Sequence, residues 1–133
     1  MKNILQDIHQ YSQSFTISQV IKFFQRKSLT ITKSMIQNYV RDGLLPPPVN
    51  KRQYTHKHLA VLALVCQLKT VYEMSDVKAA LLPLMDGEGI PLEVYREYIQ
   101  KSGEEPLHGV QDPLLIMIHS VDLKNEAIER LRK

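Results

Sequence analysis

The stretch LAVLALVCQL at positions 59–68 is apolar on every side of a helix. Whatever this chain folds into must therefore cover that segment from several directions at once. The stretch is only ten residues long, whereas a membrane span needs about 20, so the cover has to be protein. A chain of 133 residues can supply one modest core for the purpose. The N-terminus lacks a charged region followed by an apolar one, so no secretory signal is expected and a cytoplasmic location is. Cys66 stands alone, which excludes an internal disulfide and a multi-thiolate metal site within one chain.

Helical patterning surrounds the apolar stretch. Residues 3–12 read as a short amphipathic helix with Ile4, Leu5 and Ile8 on one face. In FTISQVIKFFQRK, Thr16 or Ser18 can cap a helix whose apolar face is Ile17, Val20, Ile21 and Phe24. In TITKSMIQNYVRDG, Thr32 is the expected N-cap and Met35, Ile36, Tyr39 and Val40 form the apolar stripe. Gly43 suits the left-handed position just past the end. Thr55 is expected to open a helix from about His56 to Tyr72, and Ser75 or a neighbour another one ending at Pro83. Farther on, DGEG at 86–89 reads as a turn, and Pro91 opens a helix towards Lys101. Asp112-Pro113 opens a last one towards Leu131, with Leu114, Met117, Ile118, Val121, Ile128 and Leu131 near a heptad seam that Asn125 interrupts.

Between these patterns stand three prolines, Pro46, Pro47 and Pro48. Because residue 49 is Val they make no P-x-x-P docking peptide, and no Gly/Ser padding marks a linker. Two short helices ending at Gly43 read as a helix-turn-helix. The prolines then stiffen one arm of a hairpin beside it, Leu44-Leu45 going out and VNKRQYT returning.

MIQNYVRDGLLPPP, RQYTHKHLAVLALVCQLK and YEMSDVKAALL together resemble the DNA-binding head of MerR-type transcriptional regulators over roughly 16–82. The whole chain is similar to small bacterial proteins that join such a head to a short helical tail. The resemblance implies a mainly α fold: a winged helix-turn-helix with a two-stranded wing in residues 1–85, and a helical tail in 86–133 for dimerisation or partner contact. It also implies a recognition helix at about 33–42 in the major groove and a wing at about 44–54 on the phosphate backbone. The arginines common at two recognition-helix positions are replaced here by Ser34 and Gln37, so arginine readout of guanine is not implied. Tyr39 matches an aromatic that contacts backbone or packs nearby, and Arg52 and Tyr54 match the phosphate-facing pair of the wing. About five extra residues around QRKSLT separate the first two helices, and the acidic residue expected near His58 is missing.

Charge and chemistry point the same way. Residues 1–58 carry nine Lys/Arg against two Asp/Glu, while residues 59–133 carry eight against twelve; a basic front suits a polyanion. Lys33, Ser34, Gln37, Asn38 and Arg41 lie on the polar side of the second helix, and Gln37 and Asn38 suit adenine edges. Tyr39 and Tyr54 combine a packing ring with a hydroxyl for phosphate. Lys51, Arg52 and Lys57 complete the candidate DNA-binding set. His56 and His58 fall on different helix faces, no acid/base pair, Gly-rich phosphate loop or Ser/His/Asp grouping stands out, and Cys66 reads as a small core residue. The expectation is a regulator that binds double-stranded DNA as a homodimer, without catalysis, metal, cofactor or membrane, its effector unspecified. The alternative is a protein-interaction adaptor on the same scaffold.

Overall fold

A computed structural model describes residues 14–84 and 113–133. The expected helices at 3–12 and 91–101, and the turn at 86–89, lie outside them. The described elements are α1 (Ile17–Arg26), α2 (Lys33–Arg41), α3 (His56–Leu68), α4 (Met74–Leu81) running into a 3-10 turn (Leu82–Leu84), and α5 (Pro113–Leu131).

The helices start where side chains can answer the free amides of a first turn. The Thr16 hydroxyl accepts from the Gln19 amide at 3.2 Å, and the Thr16 amide donates to Gln19 Oε1 at 2.8 Å, a reciprocal capping box. Thr32 Oγ1 accepts from the Met35 amide at 3.1 Å. The six residues between α1 and α2 form a compact turn. Ser28 takes φ +60°, and the Phe24 carbonyl accepts from both Lys27 and Leu29.

α3 is the axis of the fold. Ten of its thirteen residues are buried, on every side. α1 contributes Val20, Phe23 and Phe24 to the same cluster, α2 Ile36 and Tyr39, α4 Val77 and Leu81, and the first half of α5 Leu114, Met117, Ile118 and Val121. α5 contacts both α3 and α4, and Lys124 Nζ donates to the Thr70 carbonyl at 2.7 Å. α3 ends at Leu68 rather than at about Tyr72, because the amides of Thr70 and Val71 donate to the carbonyls three residues back, Gln67 and Leu68, and tighten the chain into a turn. α4 begins at Met74 because the Glu73 carbonyl, rather than Ser75, receives the first amides, those of Asp76 and Val77.

The two-stranded wing expected at 44–54 is not formed, and there is no strand among the described residues. Each arm has spent its hydrogen bonds elsewhere. The amides of Leu44 and Leu45 both donate to the Tyr39 carbonyl, at 2.9 and 3.1 Å, closing the end of α2 after Gly43 at φ +80°. Prolines 46–48 have no amide to offer. Val49 pairs with Gln53 as an isolated bridge across a turn in which Asn50 and Lys51 hold φ +51° and +66°. The returning residue Tyr54 bridges not to the outgoing arm but to Phe15, ahead of α1. A ladder needs successive amides facing one partner, and here they face three.

Candidate nucleic-acid interface

α2 divides cleanly into two sides. Ile36 and Tyr39 are buried, while Lys33, Ser34, Gln37, Asn38 and Arg41 are all exposed on the opposite flank. Positions 33/34, 37/38 and 41 recur at three- and four-residue intervals, so they form one continuous strip. The strip is held still by Ile36, which is fully buried, and by the paired Leu44 and Leu45 amides on Tyr39.

Loop 44–54 leaves α2 through that same Tyr39 carbonyl. Its tip presents Lys51 and Arg52 to solvent, and Lys57 is half-buried on the first turn of α3. The strip and the basic tip are thus tied together by one short connection. The two tyrosines of the candidate set behave differently. Tyr39 is 8% exposed and Tyr54 7%, so both rings belong to the core. Burial raises the Tyr54 phenol above its ordinary 10.0.

Electrostatics leave the strip positive. Asp42, the acid at its end, is engaged by Lys78 of α4 at 3.0 Å, whereas Arg41, 3.8 Å from the same carboxylate, is largely exposed. Exposed pairs of this kind stabilise little, about 0–1 kcal/mol, but Lys78 offsets the acid at the end of the strip. On α1, Lys22 and Arg26 line a shallow cleft of about 160 Å³ with Phe15, Gln19 and Phe23, and the Lys27 ammonium lies 5.9 Å from the Phe23 ring centre. These three cations belong to α1 and the turn after it, outside the candidate DNA-binding set.

His58 is the residue that sequence reasoning passed over. It is 3% exposed, the one buried polar side chain among the described residues. Its Nδ1 accepts from the Thr55 amide at 2.9 Å and lies 3.1 Å from Thr55 Oγ1. Its Nε2 lies 3.1 Å from both the Pro46 and the Pro47 carbonyl oxygens. An Nδ1 that accepts from an amide carries no proton, so the proton sits on Nε2 and is donated to the prolines. The Tyr54 ring meets the imidazole edge-on at 5.2 Å. Burial holds His58 below the ordinary 6.5, the Pro47 and Pro46 carbonyls acting the other way. The signal in the sequence was the spacing Thr55-x-x-His58, a capping box with His in place of Glu or Gln.

Other chemistry is sparse. Burial pushes the Cys66 thiol up to about 11, against the opposing pull of Lys69, so it stays protonated and unreactive near neutrality. Among the described residues no three His, Cys, Asp or Glu side chains converge as metal ligands, and no helix is long and apolar enough to cross a membrane. A half-open groove of about 630 Å³ lies between α4 and α5, with Tyr72 and Asp76 among its lining.

A family model described as a domain of unknown function (DUF1836) matches residues 4–98. No curated protein and no solved structure matches the chain.

Proposed function

The chain belongs to the DUF1836 family, and we propose that it is a sequence-specific DNA-binding transcriptional regulator of the cytoplasm. In this reading α2 enters the major groove and loop 44–54 rests on the adjacent phosphate backbone. The observation that carries it is the exposed strip Lys33, Ser34, Gln37, Asn38 and Arg41 on a helix whose other side is locked into the core. Gln37 and Asn38 offer the paired donor and acceptor that an adenine edge requires, and Ser34 serves base or phosphate. Lys33, Arg41, Lys51, Arg52 and Lys57 neutralise phosphates. Tyr39 and Tyr54 act from the core by holding α2 and the loop in place. The resemblance to MerR-type heads and the basic charge of residues 1–58 support the same reading.

A single head of this size offers limited contact area, so a homodimer on paired half-sites is part of the proposal. α5 carries a suitable surface: Ile116, Leu123 and Leu131 are 40%, 51% and 86% exposed, and the first two are one heptad apart. The direct test is fluorescence anisotropy on fragments selected from genomic DNA, repeated over a series of salt concentrations. Tight binding to particular fragments that weakens steeply with salt is expected. Binding that stays weak and indifferent to salt sinks the proposal and leaves an interaction module on the same scaffold.

A further inference from the structure

The residue at position 58 has to satisfy two neighbours of opposite kind. On one side is the Thr55 amide, a donor at the start of α3; on the other are the Pro46 and Pro47 carbonyls, acceptors on a run of prolines without an N–H of its own. A carboxylate could accept from the Thr55 amide but would meet the two carbonyls with repulsion. A neutral imidazole accepts at Nδ1 and donates at Nε2, and so closes both ends.

We propose that His58 is the positioning residue of the DNA-facing loop: its neutral imidazole latches prolines 46–48 to the first turn of α3, and its protonation releases them. A second proton has to go on Nδ1, where it displaces the Thr55 amide from its acceptor and leaves a charge on a side chain with 3% exposure. The Pro46 and Pro47 carbonyls favour the charged ring, but burial opposes it more strongly, and among the described residues no acid faces the ring to compensate the charge. Tyr54, the titratable group in ring contact, stays neutral. His56 and Lys57 beside it on α3 are cationic when charged, and Asp42 at the end of α2 is engaged by Lys78. Burial already holds the imidazole below its ordinary range, in keeping with the geometry. Releasing the latch frees the arm leading to Lys51 and Arg52, so the loop loses its registration beside α2.

The functional consequence rests on the DNA-binding reading; the latch itself does not. The test is therefore a pair of measurements on the full chain and on His58→Gln, whose amide can accept and donate in the same place at every pH. The first is an NMR titration from about pH 7.5 to 5, following the His58 ring and the amides of Val49, Lys51, Arg52 and Gln53, with circular dichroism on the same samples. The loop amides are expected to shift with the midpoint of His58, below 6.5, while helix content holds, and to stay put in His58→Gln. Loop amides that ignore the His58 midpoint, or a loss of all helix at that pH, overturn the latch whether or not DNA is bound. The second is DNA affinity over the same range. If only the neutral form is competent, affinity falls about tenfold per pH unit below the His58 midpoint and is flat or rising in His58→Gln. The sign is diagnostic, since protonating any other histidine strengthens attraction to a polyanion. A latch that titrates while no DNA binds leaves the positioning role standing and removes the DNA reading; affinity that rises on acidification in both proteins removes the gating.

Discussion

Gly43 holds φ +80° with nothing within 4 Å of the place a Cβ would occupy. Its need for glycine is therefore backbone strain alone, and Gly43→Ala should lower stability by about 1 kcal/mol in urea melts, without a packing defect. Thr32→Ala removes a cap of a similar order, about 1 kcal/mol, and the two should add, because one acts at each end of α2. His58 sets a different kind of dependence. Its folded pKa is depressed below 6.5, so its contribution is complete above that value, where both states are neutral. As pH falls towards the folded pKa the unfolded chain takes up a proton that the folded one refuses. Unfolding free energy should then drop with a limiting slope of about 1.4 kcal/mol per pH unit, and His58→Gln should remove that component from the melts.

At the scale of elements, α2 and the loop after it divide the proposed work. Lys51 and Arg52 are exposed and form no ion pair among the described residues, so truncating them should leave the melting temperature nearly unchanged. Each truncation takes one cation off the phosphate backbone and should flatten the slope of log affinity against log salt by about 1. Truncating Gln37 or Asn38 should instead weaken preferred fragments by about 1–3 kcal/mol and random DNA hardly at all; competition anisotropy separates the two patterns. A hairpin wing was expected in this loop because proline, turn and basic residues follow one another in the right order. The fold divides the same residues among three partners, the end of α2, the segment before α1, and His58. Local pattern could not reveal that, since Phe15 meets Tyr54, and His58 the prolines, only after the chain has collapsed.

For the molecule as a whole, stability hangs on α3. Leu62 is fully buried at its centre, and Leu62→Ala should cost about 2–5 kcal/mol, lowering the melting temperature and taking DNA binding with it. The exposed side of α5 belongs to assembly rather than to folding: Leu123→Asp should leave the melt of the isolated chain in place and shift light scattering towards the monomer mass. Much of this was written in the chain itself. The all-apolar segment at 59–68 required a central helix with cover on every side, Thr16, Thr32 and Thr55 marked three helix starts, and Gly43 marked an end, because periodicity and capping are matters between residues a few positions apart. The polar flank of α2 was legible for the same reason, as spacing on one helix. What only the tertiary structure decided is where long-range partners fall: that Tyr54 turns into the core, that the loop forms bridges instead of strands, and that His58 meets two proline carbonyls eleven and twelve residues upstream.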